Sequence, residues 1–428
     1  MFPFRTKPPA RTAVGWEHLV IRPDTKLSPA DRRRVEKAIR RAKKEGKIAR
    51  PAQQTIPYQE MYQDGICHIQ NQLYSKSVCC EDINYKEASD DEKAVLFELY
   101  CKLVNYFGSS VGFELSVICY PADMEEYRKL LAIKVQGDQH DVIRKEYSDM
   151  LVRQVSKSRY ERRICLTYTI EADTIKQARS RLSQIEGDVI NRFRALNVET
   201  RPMDGYERLA VFHKCLHLEE PRKFRFNWDS LNHTGLSSKD YIAPSSFFFK
   251  DGRYFRTGAT FGAVSFLQIR ATKIYDNLLD DLLNLEGSQI VSIHAKALDQ
   301  NAALKMVKRK LSDLDKAKID EQKRAVRSGF DMDILPPDLV TFGKEAQKLL
   351  EDLQNHDEKM FMVTILLVHT APTKQKLENI IYSVNGIANA NNCDLIRLDY
   401  QQEQSFVSAL PIGINQVEIQ RGLTTSGT

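Results

Sequence analysis

The stretch from Ser288 to Thr370 constrains the fold most, because two strand-like segments enclose two helix-like segments. Residues 289–298 alternate in polarity with a period of two, which is typical of a strand. Residues 300–327 place apolar residues on one face of a charged helical run, and a second leucine-rich helical run follows the break at 331–338. Residues 360–369 are almost uniformly apolar, the pattern of a strand covered on both faces. The stretch therefore predicts a helical hairpin carried between two strands of one sheet.

The same order of elements occurs twice along the chain. Each half, over about 55–217 and 252–411, consists of a strand pair, a helix, a strand, a helical insert, a strand, a helix, a short strand and a helix. The turn signals at Asp64-Gly65 and Asp251-Gly252 open the two halves. We therefore expect an α+β fold made by internal duplication, with two tandem sheet-plus-helix units of similar element order and the long helical hairpin in the second.

These patterns predict five consecutive parts of the chain. Residues 219–250 have few periodic positions and many Ser, Asn and aromatic residues, so we expect a linker that packs over a domain surface. The expected parts are a basic N-terminal helical arm at 1–53, a first α+β unit at 54–218, a linker at 219–250, a second α+β unit at 251–413 with its hairpin at 299–357, and a truncated linker at 414–428.

The net charge of +6 is concentrated in the N-terminal arm. Residues 1–50 contain 15 Lys/Arg and 5 Asp/Glu, which leaves the rest of the chain mildly acidic. Ser28 and Pro29 predict the start of a helix that runs to about Glu45, and Gly46 ends it. Its apolar face is too narrow for a core helix. The residues expected to contact an anionic surface are Arg32, Arg33, Arg34, Lys37, Arg40, Arg41, Lys43 and Lys44.

Three kinds of partner fit such a basic arm: anionic lipid, nucleic acid and an acidic protein. A solvated helix on a flexible arm is the plainer interpretation of the same residues. Aromatic residues are not interleaved with these charges, which disfavours single-stranded nucleic acid.

The sequence contains none of the common catalytic motifs. A phosphate-binding loop needs Gly-x-x-x-x-Gly-Lys-Ser/Thr, because backbone amides and a lysine must surround the phosphates. The Gly-Lys pairs at Gly46 and Gly343 lack both the hydroxyl residue and the upstream glycine. The nucleophile elbow, the zinc-protease motif and the dinucleotide fingerprint are absent from the sequence as well. We therefore predict no enzyme activity, no cofactor and no metal ion for the chain as it stands.

Two clusters resemble metal sites but favour structural interpretations. Asp331, Asp333 and Asp338 lie in a turn that lacks the ligand count and the central glycine of a calcium loop. His213 and His217 share one face of a predicted helix, but the sequence offers no third ligand beside them. We expect an acidic turn and a packed histidine pair.

The eight cysteines indicate a reducing environment. They form no C-x-x-C pair and lie mostly in apolar segments, so buried reduced thiols are expected rather than disulfides or zinc ligands. Cys79 and Cys80 could form a redox pair, but two residues of a core strand explain them better. His294 is likewise expected to pack inside a strand.

The hydropathy pattern predicts an intracellular globular protein. Apolar runs reach about eight residues, whereas a membrane-spanning helix needs about twenty. The N-terminus lacks the apolar core of a signal peptide. With 28% charged and 42% hydrophobic residues, the composition is that of a folded domain rather than a disordered chain.

Several phrases of the sequence resemble one protein family. They are LKMVKRKLSDLD (304–315), EQKRAVRSG (321–329), DMDILP (331–336), YQDGI (62–66), LVNYF (103–107), LPIG (410–413) and RGLTT (421–425). Together these phrases resemble the VirB/TraE-type conjugal transfer ATPases, which serve type IV secretion in mobile elements of Gram-positive bacteria. The resemblance covers the chain from about Gln54 onward.

The resemblance implies that the chain corresponds to the N-terminal region of such an ATPase. In that family a P-loop domain follows, and it would hold ATP and magnesium; because the sequence stops at Thr428, we expect that domain to be missing. The resemblance also implies docking on the cytoplasmic side of the membrane, against small membrane subunits of the secretion channel, with self-association and contact with anionic lipid as further partners. The alternative is a nucleic-acid-binding protein that uses the basic arm on DNA.

Overall fold

A single antiparallel sheet organises the part of the chain described by the computed structural model. The sheet contains 13 strands among the described residues. The expected α+β class is confirmed, and the two expected units share this one sheet. The described residues are 51–83, 85, 88–155, 160–219, 223–270, 277–328, 337–355 and 358–427.

The first half of the sheet belongs to a unit that we call the first repeat. Its elements are β1 (Glu60–Met61), β2 (Cys67–Gln70), β3 (Leu73–Cys80), α1 (Asp90–Tyr106), β4 (Val111–Pro121), α2 (Met124–Leu131), α3 (Asp141–Val155), β5 (Tyr160–Glu171), α4 (Ile175–Ala195), β6 (Thr200–Pro202) and α5 (Gly205–Leu216). The periodicity of the sequence predicts these elements except β1 and α2.

The stretch expected to be a linker contains two short helices, α6 (Trp228–Thr234) and α7 (Ser238–Ile242). Its aromatic residues Phe224, Phe226 and Trp228 pack against the main core.

The second repeat follows with the same succession of elements. They are β7 (Phe247–Phe248), β8 (Phe255–Thr257), β9 (Thr260–Ile269), α8 (Asn277–Leu283), β10 (Ser288–Ala297), α9 (Gln300–Arg327), α10 (Pro337–Asn355), β11 (Met360–Ala371), α11 (Lys374–Ala390), β12 (Cys393–Arg397) and α12 (Gln402–Ser408). The last strand, β13 (Arg421–Thr424), pairs with β11.

The two repeats have the same strand order. In the first repeat the order is β1-β2-β3-β5-β4 with β6 beside β3, and in the second it is β7-β8-β9-β11-β10 with β12 beside β9. Strands β3 to β6 with α1 and α4 form the split βαβ arrangement of ferredoxin-like folds, and β9 to β12 with α8 and α11 form it again. The expected internal duplication is thus visible in the topology.

The long helices of the two repeats also begin and end in the same way. Thr174 caps the N-terminus of α4, and Thr373 caps the N-terminus of α11, each accepting a hydrogen bond from a backbone amide in the first turn. Asn197 after α4 and Asn392 after α11 both adopt the left-handed conformation, with φ values of 57° and 54°. Asparagine tolerates this conformation at a helix end better than most residues.

The repeats join at their edges, where β4 pairs with β10 in antiparallel register. We call this junction the seam. Glu114 lies opposite His294, and Ser116 lies opposite Ser292. The pairing leaves β4 and β10 fully inside the sheet, so neither repeat exposes this edge.

The two faces of the sheet are covered differently. Helices α1, α4, α8 and α11 pack on one face, over clusters that include Leu166, Tyr168, Leu267 and Leu367. Helices α5 and α12 and the segment 409–420 pack on the other face, over the largest core cluster. We call residues 409–424 the tail.

Each repeat carries a helical insert between its two central strands. The first insert, α2 and α3, lies between β4 and β5, and the second insert, α9 and α10, lies between β10 and β11. The predicted hairpin between two strands of one sheet is therefore confirmed. Helix α9 has 28 residues, which corresponds to a length of roughly 42 Å.

Candidate functional site

The basic arm predicted to contact an anionic surface lies outside the described residues. That holds for each of its predicted contacts, namely Arg32, Arg33, Arg34, Lys37, Arg40, Arg41, Lys43 and Lys44. Asp331 and Asp333 also lie outside them, while Asp338 falls within α10. Candidate sites must therefore be sought in the rest of the chain.

A cluster of buried polar residues lies at the seam. Glu114 is fully buried and accepts hydrogen bonds from the Ser116 hydroxyl at 2.9 Å and the Ser292 hydroxyl at 2.8 Å. His294 Nε2 lies 3.8 Å from the same carboxylate oxygen. Burial raises the pKa of the Glu114 carboxyl, while His294 and the hydroxyl donors oppose that rise. We call these four residues the seam cluster.

The tail and the last residue of α12 complete the hydrogen bonds of the seam cluster. The Gly413 backbone N–H donates to Glu114 Oε2 at 2.7 Å, and His294 Nε2 donates to the Ser408 carbonyl at 2.6 Å. Gly413 has a φ of +91°, and a Cβ atom there would overlap the Thr169 side chain. Only glycine lets the tail pass this close over the sheet, because it has no Cβ and tolerates this φ.

Arg208 on α5 connects the tail to the first repeat. Its guanidinium is buried and donates to the Gly65 carbonyl at 2.9 Å and to the Ser75 carbonyl at 3.0 Å. A longer contact of 3.4 Å reaches the Pro411 carbonyl, which also accepts from the Thr167 hydroxyl at 3.2 Å. The phrases YQDGI and LPIG, far apart in sequence, therefore meet at one arginine.

The seam cluster is suited to holding backbone segments in place rather than to catalysis. Glu114 and Ser292 have no solvent exposure, so a substrate does not reach them. Each oxygen of the carboxylate already accepts at least one hydrogen bond. Fully satisfied buried networks of this kind fix one arrangement of the backbone. Here the backbone that is fixed belongs to the tail.

The first insert exposes several large apolar side chains. Leu130, Val135 and Val142 have exposed fractions of 74%, 75% and 67%. The turn between α2 and α3 is nevertheless well fastened, since Asp141 accepts from the Gln136 and Gly137 backbone amides at 3.0 and 2.8 Å. Among the side chains of this insert that the structure describes, the large apolar ones that are exposed are Leu130, Ile133, Val135, Val142, Ile143, Tyr147 and Met150.

Large exposed apolar surfaces are typical of interaction sites. We call these seven residues the apolar surface of the first insert. By sequence the insert contains as many acidic as basic residues, so it has no net charge that would direct it to an anionic surface.

The second insert packs its two helices together near the sheet, although it too exposes apolar side chains, among them Ile319, Val326 and Phe342. Its helices bury Ala303, Val307 and Leu353 against each other at the end near the sheet. Beyond Leu311, no side chain of α9 is buried among those that the structure describes. The helix contains nine Lys/Arg and four Asp/Glu, and most of the excess positive charge lies before Leu311, in the half nearer the sheet.

The two histidines expected to share a helix face, His213 and His217, lie at the C-terminal end of α5. The rings of His213 and His217 are stacked with centroids 4.2 Å apart, and both residues are buried. His217 Nδ1 is 2.9 Å from the His213 carbonyl oxygen. In the described ranges, no three His, Cys, Asp or Glu side chains lie close enough together to hold a metal ion.

The sequence alone gives little access to these sites. Glu114 and His294 are 180 positions apart in sequence, and only the pairing of β4 with β10 places them opposite each other. The sequence does not reveal that the apolar side chains of the first insert are exposed, because their spacing also fits an ordinary amphipathic helix with a buried apolar face. None of the helices within the described ranges combines the length and apolar composition that crossing a membrane requires.

Comparison of the chain with protein-family models and with curated proteins finds no match. The geometry above therefore carries the functional argument, together with the sequence phrases that resemble conjugal transfer ATPases.

Proposed function

We propose that the chain is the N-terminal docking region of a conjugative type IV secretion ATPase of the VirB/TraE type. In this proposal it contacts membrane subunits of the secretion channel at the cytoplasmic face of the membrane during DNA transfer. ATP and magnesium belong to the P-loop domain of that family and not to this region.

The observation that carries the proposal is the apolar surface of the first insert. Its helices are held by polar contacts at the turn, yet seven apolar side chains face solvent. Exposed apolar area of this kind costs solubility unless a partner covers it. The partner that the family resemblance implies is a small membrane subunit of the secretion channel.

The fastened tail supports the same proposal. In the family that the chain resembles, the P-loop domain follows this part of the sequence. The Gly413–Glu114 and Pro411–Arg208 contacts hold the tail against the sheet. A domain attached after such a tail would be held in a defined position relative to the docking surface, as a motor that acts on a channel requires.

Site-specific photocrosslinking in the source cells tests the proposal. A photoreactive phenylalanine analogue replaces Val135 or Val142, both on the apolar surface of the first insert. We expect each position to crosslink to a small integral membrane protein of the secretion channel, identified by mass spectrometry. Placing the same analogue at Tyr382 or Tyr400, which are 82% and 89% exposed in the second repeat, provides the control.

Two results would argue against the docking function. One is the absence of any membrane protein among the crosslinked products of Val135 and Val142. The other is an identical set of products at Tyr400, because that would show general proximity to the membrane rather than a defined surface.

The nucleic-acid alternative is favoured by a separate feature, the charge of +10 in residues 1–50. Binding of the full chain to double-stranded DNA and to anionic liposomes is measured against salt concentration. Contact by the arm predicts that reversing Arg32, Arg33 and Arg34 to Glu weakens binding and flattens the salt slope. Lipid contact is worth roughly 1 kcal/mol per basic residue near an anionic surface. Preference for DNA over liposomes supports the alternative function.

A further inference from the structure

Two cysteines of the first repeat face each other across neighbouring strands. Cys79 on β3 is the register partner of Cys165 on β5. On the side of β3 that faces away from β5, the backbone forms hydrogen bonds with β6 and the residues beside it. The Met203 N–H donates to Ser77 O at 3.1 Å, and the Glu81 N–H donates to Glu199 O at 2.9 Å.

The polar backbone groups of residues 77, 79 and 81 therefore point away from β5. Cys79 and Cys165 accordingly occupy a non-hydrogen-bonded pair of the β3–β5 ladder, where Cα atoms approach to about 4.5 Å. A disulfide requires Cα atoms about 4.4–6.8 Å apart. The strand register thus places the two sulfur atoms where they can be joined without moving the sheet.

The two thiols differ in access and in charge environment. Cys79 is partly exposed, whereas Cys165 is buried. A hydrogen bond from the Cys165 thiol, together with the positive charges of Arg163 and Arg201, lowers the pKa of Cys79. Arg201 is itself paired with Glu207, which weakens but does not cancel its effect.

Cys79 also lines an open cleft of about 520 Å³. The cleft is lined by three arginines, Arg162, Arg163 and Arg201, and by three carboxylates, Glu81, Asp82 and Glu199. Because these charges balance in number, the lining attracts neither anions nor cations overall, and the cleft is open to a small uncharged molecule.

We propose that Cys79 and Cys165 form a thiol pair that is oxidised by hydrogen peroxide entering this cleft. The Cys79 thiolate attacks one peroxide oxygen, the O–O bond breaks, and hydroxide leaves and takes a proton to become water. Cys79 is then a sulfenic acid. The Cys165 thiol, losing its proton, attacks the Cys79 sulfur, and the sulfenic oxygen leaves as a second molecule of water. Two thiols are oxidised to one disulfide and one peroxide is reduced.

The chain contains a matched control for the reactive thiol. Cys101 on α1 falls in the same partly exposed class as Cys79. Burial and the nearby carboxylates of Glu358 and Glu98 raise the pKa of Cys101. The two residues therefore separate the effect of exposure from that of charge, because thiolate rather than thiol is the reactive form.

The experiment treats the reduced full-length protein with a small excess of hydrogen peroxide and maps the products by mass spectrometry. We expect a Cys79–Cys165 disulfide in the wild type. In Cys165→Ser, oxidation should stop at a Cys79 sulfenic acid that dimedone traps. In Cys79→Ser, Cys165 should remain reduced. Iodoacetamide should alkylate Cys79 roughly tenfold or more faster than Cys101 at neutral pH, and its rate should level off at lower pH.

Circular dichroism shows whether each serine variant is folded, and Arg163→Gln with Arg201→Gln provides a second route that keeps both cysteines. That double variant should slow the alkylation of Cys79 and leave Cys101 unchanged. The proposal is overturned if Cys101 oxidises as fast as Cys79, or if peroxide joins Cys79 to a cysteine other than Cys165. Neither result depends on whether the chain docks to a secretion channel.

Discussion

The two repeats share a topology but differ in how they use it. Both have the same strand order, a threonine cap before the long helix and a left-handed asparagine after it. Their inserts diverge in packing: the first exposes seven large apolar side chains, of which Val135 is the most exposed at 75%, whereas the helices of the second bury Ala303, Val307 and Leu353 against each other near the sheet. The sheet is thus the constant part, and the inserts are where the two repeats differ.

The helices that follow the repeats show the same divergence inside the core. Arg208 on α5 and Gln402 on α12 are both buried, and each fastens its helix to a strand of its own repeat. Gln402 exchanges two hydrogen bonds with the Val264 backbone, at 2.8 and 3.1 Å. Arg208 reaches further and contacts the tail at Pro411. The charged version therefore has a second task that the neutral one lacks.

The largest expected effect is the loss of stability on replacing Arg208, which should exceed the loss on replacing Gln402. Arg208→Met leaves the buried carbonyl oxygens of Gly65 and Ser75 without this donor, and we expect a loss on the order of 3–5 kcal/mol in the free energy of unfolding. Gln402→Leu should cost about 1–3 kcal/mol. Urea denaturation measures both, with Arg201→Met as a control at a half-exposed arginine.

Hydrogen exchange sharpens this comparison. The Gly413 amide should exchange faster in Arg208→Met and stay protected in Gln402→Leu, because only the arginine contacts the tail. Equal destabilisation by the two variants, with equal protection of Gly413, would remove the distinction between the repeats.

The sequence predicts the repeated elements well because they depend on local signals. Hydrophobic periodicity marks the strands and helices, and Thr174 and Thr373 mark helix starts. Pairing of β4 with β10 depends instead on contacts between the halves, which no local pattern encodes. From the sequence alone, Arg208 resembles any surface charge on a helix. Cys79 and Cys165 are 86 positions apart in sequence, and only the register of β3 and β5 shows that they are neighbours.

The inserts provide the second comparison. Leu353 on α10 is 1% exposed, whereas Leu130 on α2 is 74% exposed. Leu353→Ala should therefore cost about 2–5 kcal/mol through the cavity it leaves, observed as faster hydrogen exchange in α9 and α10. Leu130→Ala should change stability by less than about 0.5 kcal/mol. The crosslinking experiment should rank the two variants the other way. Leu130→Ala should reduce the yield of crosslinks from position 135, and Leu353→Ala should leave that yield unchanged. A large stability loss in Leu130→Ala would mean that this side chain is structural.

A further expected effect, small at neutral pH, concerns a buried histidine of the second repeat. His369 on β11 is 2% exposed, and neither of its ring nitrogens has a hydrogen-bond partner among the described residues. Burial lowers the pKa of His369 from 6.5 to about 4. Glu114 at the seam, also buried, has donors for both carboxylate oxygens, and burial raises its pKa.

The two shifts give opposite slopes of stability against pH. The unfolded chain protonates His369 below pH 6.5 while the folded chain does not until about pH 4, so stability is lost as pH falls through this window. The raised pKa of Glu114 acts the other way, because stability is lost as pH rises through the folded-state pKa.

His369→Leu isolates the first slope. At pH 7 the variant should be close to the wild type, since a neutral buried imidazole without hydrogen bonds is replaced by an apolar side chain. As pH falls from 6.5 to 4, the wild type should lose about 3 kcal/mol relative to the variant. Urea denaturation at several pH values measures the difference, with His140→Leu as the exposed control. A constant difference across this range would mean that the folded protein binds the proton at His369 as readily as the unfolded chain does, which its burial between β9 and β10 opposes.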